Sequence, residues 1–371
     1  MNRVDCIRWC GIVLLSLAGN LWAQKLKIRT YNGDSDPSAA AAVNERYFVV
    51  EDDEHNILRV YSISGSSAPV FSVDVTDFLR ADAKHPEADI EGAARLGERI
   101  YWITSHGRNK DGQIRPSRYR FFATEIKVAD APTEPNRPPQ IVPVGRPYAA
   151  LMSDMLASSR LSSLNLHNIT RLGEPLSGKE RQQLAPKEKG LNIEGLAVGP
   201  NGRSLWIGLR NPLYEDVAGK RKAIVIPLLN PAEVVEQGKT ARFGDVILLD
   251  LDGRGIRSID YVETQKEYWI VAGPAVSQAD FALFRYHYAD KKLATVKVDF
   301  PKDFTPEGLF ILPGQKTIWF ISDDGTLKKE VSSPDQCLPG QLLEDGRCPN
   351  KCLCDLDKRT FRVLRYDPMT P

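Results

Sequence analysis

Three glutamates combine a reactive side chain with a repeated setting in the chain. Glu91, Glu194 and Glu307 are each followed by glycine at the start of an apolar segment, and each segment leads through a turn to a second apolar segment that contains tryptophan. Carboxylates serve as general bases in hydrolysis and as ligands of Ca²⁺. The pattern therefore predicts a site in which Glu194 is a candidate catalytic base, or in which all three glutamates are candidate metal ligands.

A fourth segment has arginine where the other three have glutamate. Arg257 stands in this position. Carboxylates that crowd a narrow space repel one another, and their pKa values rise unless something neutralises them. Three arrangements are open: an ion-pair network of Arg257 with the glutamates, a bound Ca²⁺, or an acid cluster facing a substrate. In the last case Glu91, Arg257 and Glu307 would bind a polar ligand.

Further polar residues occupy a second repeated position, four residues after three of the tryptophans. They are His106, Arg210 and Asp323. In an antiparallel hairpin the start of the first strand lies beside the end of the second, so we expect these residues on the same rim as the glutamates. His106 is a second candidate general base, whereas Arg108, Arg210, Asn211 and Asp323 are candidate ligand-binding residues.

The repeated segments have the composition of β-hairpins, with two apolar stretches around a turn. Four copies with tryptophan begin at Ile90, Ile193, Ile256 and Pro306, and a weaker copy without it begins at Ser38. Two strand-like segments follow each hairpin, except that the last hairpin has only 361–366, and residues 26–31 could supply its missing strand. Five units of four strands predict an all-β fold, a five-bladed β-propeller closed by strands from both chain ends.

Two insertions interrupt the repeat. Residues 146–191 include a stretch of helical character, and residues 328–359 contain four cysteines. A six-bladed ring with one eroded blade in the first insertion is the alternative to five blades. The repeated tryptophans are expected to pack between neighbouring blades and not to stack on a ligand.

Residues 1–23 have the features of a signal peptide, because Arg3 and Arg8 precede a short apolar core and Ala23 is small. We therefore expect a periplasmic or secreted protein whose residues 24–371 form one propeller domain. Export favours two disulfides among four cysteines, with three possible pairings: Cys337, Cys348, Cys352 and Cys354. No later segment could span a membrane, and 49 Lys+Arg against 48 Asp+Glu provide no field that would attract nucleic acid.

Four stretches carry a family resemblance. They are 190–197 (GLNIEGLA), 209–213 (LRNPL), 255–259 (GIRSI) and 272–274 (AGP). Together they resemble the uncharacterised bacterial domain-of-unknown-function family 3616, which implies a fold and no established activity. A looser resemblance extends to esterase-like propellers associated with phytases and to calcium-dependent gluconolactonase-like enzymes, in which a glutamate at such a strand start holds the axial metal. Arg257 departs from that last pattern.

Three functions are consistent with these patterns. The first is binding of a small polar ligand on the axial face, with anionic groups that meet Arg108 and Arg210. The second is metal-assisted hydrolysis of an ester, lactone or phosphoester, with a carboxylate or His106 as general base and Ca²⁺ as the possible cofactor. The third is a scaffold for a protein partner that the sequence does not identify.

Overall fold

The computed structural model describes residues 26–52, 54–127, 137–185, 190–274 and 280–368, so the predicted signal peptide and Asp53 lie outside the described residues. In chain order the strands are β1 (Lys27–Asn32), β2 (Pro37–Ala42), β3 (Tyr47–Asp52), β4 (His55–Ser62), β5 (Phe71–Asp74), β6 (Ile90–Leu96), β7 (Arg99–Thr104), β8 (Phe121–Lys127), β9 (Gln140–Tyr148), β10 (Asn192–Val198), β11 (Leu205–Asn211), β12 (Tyr214–Glu215), β13 (Arg221–Leu228), β14 (Ile247–Leu249), β15 (Gly255–Val262), β16 (Glu267–Gly273), β17 (Ala282–His287), β18 (Lys292–Val296), β19 (Pro306–Ile311), β20 (Ile318–Ser322), β21 (Lys328–Lys329), β22 (Cys348–Pro349) and β23 (Thr360–Tyr366). The helices are α1 (Thr76–Leu79), α2 (Leu151–Ala157), α3 (Leu166–Thr170), α4 (Gly178–Gln183) and α5 (Pro231–Gln237). None of the helices in the described ranges has the length and apolar character needed to cross a bilayer.

Within these ranges the long strands form five antiparallel blades. From the innermost strand outwards they are blade 1 (β2-β3-β4-β5), blade 2 (β6-β7-β8-β9), blade 3 (β10-β11-β13-β14, with the short β12 also on β13), blade 4 (β15-β16-β17-β18) and blade 5 (β19-β20-β23-β1). The innermost strands contact one another around a complete cycle, β2 to β6, β10, β15, β19 and back to β2. The prediction of a five-bladed propeller is confirmed.

The ring is closed by a strand from near the N-terminus. β1 pairs with β23 from Lys27 opposite Arg365 to Asn32 opposite Thr360, so blade 5 combines strands from both ends of the described chain. Tyr31 is fully buried in this strand. Its ring lies 5.3 Å from that of Phe48 in blade 1 and 5.5 Å from that of Phe361 in blade 5. The closing strand therefore joins the first blade to the last through aromatic packing as well as backbone hydrogen bonds.

The repeated tryptophans pack between blades, as the sequence predicts. Trp206 of blade 3 stacks on Tyr268 of blade 4 with ring centroids 4.1 Å apart. Trp102 is fully buried, and its Nε1 donates to Thr124 Oγ1 at 3.0 Å. Burial of such large rings between neighbouring sheets is what an isolated blade lacks and a closed ring supplies.

The first insertion forms helices, and its described residues contain no further blade. α2, α3 and α4 lie between β9 and β10. Leu151, Met152 and Met155 of α2 are buried in one apolar cluster with residues of blades 2 and 3. The alternative of a sixth blade in this region is therefore wrong.

The C-terminal insertion contains one disulfide where two were expected. Cys337 and Cys348 are bonded, whereas Cys352 and Cys354 are free. Cys352 packs in a small buried cluster with the disulfide, and Cys354 is exposed. The two remaining thiols thus lie in different environments, which corrects the expectation that they pair.

The closing strand offers a direct test of ring stability. Tyr31→Ala removes a buried ring between two blades, and we expect the free energy of unfolding to fall by about 3–5 kcal/mol. Ile28→Ala in the same strand is the matched control, because Ile28 is 43% exposed, and its effect should stay within about 0.5 kcal/mol. Urea unfolding followed by tryptophan fluorescence measures both, and equal effects would contradict the role given to Tyr31.

The two free thiols should differ in reactivity. Cys354 is expected to react with an alkylating reagent in the native protein, and Cys352 only after unfolding, because the reagent must reach the thiolate. Peptide mapping by mass spectrometry after native and denatured alkylation distinguishes the two residues. Recovery of a peptide with Cys352 and Cys354 disulfide-bonded would contradict this assignment.

Candidate functional site

The same local distortion occurs at the start of every innermost strand. The pairing of the first and second strand shifts register between residues 37 and 39, 90 and 92, 193 and 195, 256 and 258, and 306 and 308. The residue skipped in each case defines what we call the hub positions: Ser38, Glu91, Glu194, Arg257 and Glu307. A β-bulge leaves its extra residue outside the ladder and re-aims that side chain. The bulges therefore explain how charged side chains leave the apolar packing between blades.

The glycine after each hub glutamate has a packing reason. A Cβ atom on Gly92 would lie 2.9 Å from Ile103 Cγ2, one on Gly195 would lie 2.8 Å from Ile256 Cγ2, and one on Gly308 would lie 2.6 Å from Ile321 Cδ1. Each distance is shorter than van der Waals contact allows. The Glu-Gly pair in the sequence thus combines a charged bulge residue with the small residue that lets the bulge fit.

Arg257 pairs with two of the hub glutamates. Its Nε lies 3.0 Å from Glu194 Oε2, its Nη1 donates to Glu194 Oε1 at 3.3 Å, and its Nη2 forms an ion pair with Glu307. Burial opposes the charge on Arg257, but the carboxylates of Glu194 and Glu307 outweigh it and raise the pKa of the guanidinium. Of the three arrangements considered for the glutamates, the geometry therefore matches the ion-pair network with Arg257.

Glu194 is the most heavily bonded of the three carboxylates. Its Oε1 also accepts hydrogen bonds from Arg210 Nη1 at 2.8 Å and from Asn192 Nδ2 at 2.7 Å. Burial raises the pKa of Glu194, and Arg210 and Arg257 partly offset that rise. Asn192 was missed from the sequence, although it precedes Glu194 by two residues in the strand that carries it.

Glu91 is the hub glutamate that is not paired with an arginine among the described residues. It is partly exposed, and it makes no hydrogen bond or ion pair with any residue that the structure describes. Desolvation and the nearby charge of Glu194 raise its pKa well above the usual range. Three hub carboxylates thus face two guanidinium groups, Arg257 and Arg210, and the surplus acceptor is Glu91.

Two buried amide oxygens beside Glu194 also have no hydrogen-bond partner among the described residues: Asn192 Oδ1 and Asn211 Oδ1. The two residues are opposite each other in β10 and β11. Asn211 uses its Nδ2 to donate to Gly190 O at 2.5 Å. Both side chains therefore donate their amide N–H groups to other groups of the protein, and their amide oxygens have no partner among the described residues.

His106 is enclosed and does not contact the hub glutamates. It is 1% exposed, and its Nδ1 lies 2.8 Å from Thr104 O. Burial lowers its pKa to about 4, so the imidazole is neutral at physiological pH. Its Nε2 has no described partner and lies at a cavity of about 10 Å³ bordered by Tyr119 and Thr170. That space holds about one water molecule.

Arg108 ties the helical insertion to blade 2. The buried guanidinium donates to Gly112 O at 3.1 Å, to Thr170 O at 2.9 Å and to Arg171 O at 3.3 Å. All its described partners are thus backbone carbonyls, and the structure does not bring it to Arg210 or to the glutamates. Desolvation lowers its pKa.

Asp323 belongs to an acidic group where blade 5 meets blade 1, and the charge of the hub residue Glu307 also acts on it. Burial and the adjacent Asp36 carboxyl raise the pKa of Asp323 well above its usual range. Burial and the neighbouring Asp52 likewise raise the pKa of Asp34. Asp34 and Asp36, which stand just before β2, were missed from the sequence. Asp36 stands two residues before Ser38, as Asn192 does before Glu194.

The hub does not fit a calcium ion bound by Glu91, Glu194 and Glu307 together. Among the described residues no group of three or more His, Cys, Asp or Glu side chains is placed to hold a metal ion. The oxygen atoms of Glu194 and Glu307 instead face nitrogen atoms of Arg257. A cation is therefore already present between them, and it is a side chain.

The central ion pair is open to a pH-resolved test. Arg257→Met leaves Glu194 and Glu307 without their shared partner, and loss of one member of a buried pair costs about 3–5 kcal/mol. Without Arg257 the folded-state pKa of Glu194 rises further, so the deficit should be larger at about pH 8 than at about pH 5, where protonation relieves it. Urea unfolding at both pH values measures this difference.

Arg254→Gln is the control for that variant. Arg254 pairs with Asp280 at 2.8 Å on the surface of blade 4, and exposed pairs are worth about 0–1 kcal/mol. A deficit of Arg257→Met that does not change with pH would contradict the pairing with the glutamates.

Comparison with known proteins adds a family and no activity. No curated protein matches the chain. Solved structures that match include virginiamycin B lyase from Staphylococcus aureus, with a TM-score of 0.38, 10% identity and coverage of 92% of this chain and 100% of that one. The β-propeller domain of Cps50 (Swd1) from Myceliophteria thermophila has a TM-score of 0.34, 7% identity and coverage of 92% and 100%.

A family described as "Protein of unknown function (DUF3616)" matches residues 36–305. The match begins just before β2 of blade 1 and ends just before β19 of blade 5, so it includes four of the five hub positions. It covers well over half of the chain. The chain therefore belongs to the DUF3616 family.

Proposed function

We propose that this protein binds a small polar ligand at the hub through hydrogen-bond donors on the ligand, such as hydroxyl or amine groups. The observation that supports this is the surplus of acceptors around Glu194. The Glu91 carboxylate, Asn192 Oδ1 and Asn211 Oδ1 have no partner among the described residues. A ligand with several donors would satisfy them together.

The three acceptors are connected through Glu194, and the two amide oxygens among them are fully buried. Asn192 donates to Glu194, and Asn211 lies opposite Asn192 in the neighbouring strand. Glu194 is in turn the carboxylate that acts most strongly on the charge of Glu91. A buried acceptor without a partner costs about 1–3 kcal/mol. A ligand that supplies donors would recover part of that cost on binding.

The same geometry gives less support to an anionic ligand. Arg257 and Arg210 are paired with glutamates, and Arg108 donates to backbone carbonyls. An anion would therefore have to displace one of these partners. Donor-bearing ligands therefore suit the hub better than the anionic ligands that the sequence suggested.

A hydrolytic function is also less well supported. His106 would need a substrate bond within hydrogen-bond reach, yet its Nε2 lies at a cavity of about 10 Å³. Glu194 accepts three hydrogen bonds at one oxygen, which hold the carboxylate in place and occupy the lone pairs that a substrate proton would need. His106 and Glu194 therefore fit a protein that binds a ligand better than one that catalyses hydrolysis.

We place this binding function outside the cytoplasm. The Cys337–Cys348 disulfide supports an oxidising compartment, as does the signal-like composition of residues 1–23. A small exported binding protein would meet its ligand in the periplasm or the medium. The proposal for the hub does not depend on this location.

The ligand class can be tested by direct titration. Isothermal titration calorimetry with monosaccharides, linear polyols and amino alcohols should give saturable heats, whereas acetate and inorganic phosphate should not. Calorimetry is preferred to thermal shift because polyols stabilise folded proteins without binding. Saturable binding of phosphate or acetate without any binding of the donor-bearing compounds would overturn the proposal.

Glu91→Gln tests the residue that supports the proposal. It replaces a carboxylate with an amide of similar shape, and we expect binding of the compound identified above to weaken by about tenfold, or about 1.4 kcal/mol. Glu215→Gln is the matched control, because Glu215 lies exposed on the short β12. An unchanged affinity in Glu91→Gln would show that the ligand binds elsewhere.

A further inference from the structure

The opposite end of the central channel opens into a cavity of about 310 Å³. All five innermost strands border it close to the hairpin turns, at the ends away from the hub positions. The lining from these strands is Ala40–Ala42 of β2, Ala93–Arg95 of β6, Val198 of β10, Asp260–Val262 of β15 and Ile311 of β19. The small residues of β2 and β6 leave the space open. Its volume is within the range of small-molecule sites.

The charge balance of this cavity is acidic. Its charged lining residues are Arg95, Asp260 and Glu263. Arg95 is already engaged, because its Nη1 donates to Val43 O at 2.7 Å and its Nε to Gly97 O at 2.9 Å. Two carboxyl groups therefore share the lining with one guanidinium group, whose hydrogen bonds are directed at backbone carbonyls.

Asp260 is held rigidly in the cavity wall. Its Oδ1 accepts from Tyr261 N at 2.8 Å, and its Oδ2 accepts from Ile311 N at 3.0 Å in the neighbouring blade. No described residue forms an ion pair with it. Burial raises the pKa of Asp260 to about 7, although the two backbone donors lower it. The carboxyl is thus fixed in position and poorly compensated.

We propose that this cavity is a second binding site, which takes a small aliphatic ammonium ion. The ammonium group would pair with Asp260, whose oxygen atoms keep lone pairs beyond the two backbone bonds. The alkyl part would lie against Val262, Ile311 and Pro313 of the wall. Glu263, which is exposed at the rim, would attract the cation on entry.

The proposal has a defined pH dependence. Binding needs ionised Asp260 and a protonated amine, so affinity should increase as pH rises through about 7 and decrease only when the amine loses its proton, near about pH 10. The other charged residues that line the cavity are Arg95 and Glu263, and the phenol of Tyr261 also lies in its wall.

The test uses n-butylammonium as probe and full-length folded protein, with butan-1-ol and butyrate as neutral and anionic analogues. Ligand-detected NMR or calorimetry should show binding of butylammonium alone. Asp260→Asn should weaken it about tenfold and abolish the rise near pH 7. Glu263→Gln, at an exposed position that the fold does not need, should weaken it about twofold.

Glu91→Gln distinguishes the two ends of the channel. Loss of butylammonium binding in Glu91→Gln, with Asp260→Asn unaffected, would place the ion at the hub and overturn the inference. Absence of binding, or equal binding of butan-1-ol, would overturn it too. If Asp260→Asn does not fold, Glu263→Gln and the pH profile of the unmodified protein decide the question.

Discussion

A closed ring brings the first residues of its innermost strands close together, so that their carboxylates repel one another. The ion pairs of Arg257 offset this repulsion. Glu194 and Glu307 come from blades 3 and 5, and Arg257 lies on the blade between them. Without that cation two buried carboxylates would repel each other in a region of low dielectric. The hub is therefore held together by one side chain that serves both neighbours.

The bulges turn side chains that would otherwise pack between blades towards the hub. A regular innermost strand would direct these side chains into the apolar layers between blades, where a charge without a partner is costly. One extra residue per strand turns the side chain out of the ladder, and the following Gly92, Gly195 or Gly308 gives room for the distortion. The bulge is thus repeated in five blades, and four of the five place a charged side chain at the hub.

The sequence predicted the ring better than the site. Hairpin spacing and the tryptophans indicated five blades and even the closing strand, because both reflect apolar periodicity. The bulges could not be predicted, since alternation of apolar residues does not show one unpaired residue. Asn192 was missed because a single amide has no repeated partner. Two disulfides were expected among the four cysteines, with the pairing open, because composition carries no information on which thiols stay free.

At both ends of the ring axis, carboxyl groups outnumber the arginines beside them. At the hub, Arg257 and Arg210 pair with glutamates, and Glu91 has no such partner among the described residues. At the opposite end, Arg95 donates to backbone carbonyls, and Asp260 and Glu263 line the same cavity. An arginine that pairs with a carboxylate cannot bind an anion without losing that partner, whereas Arg95 keeps its charge beside its carbonyl partners. The ligands proposed for the two ends are accordingly donor-bearing compounds and an ammonium ion, although the net charge of the chain is only +1. Both proposals rest on local pairing and not on overall composition.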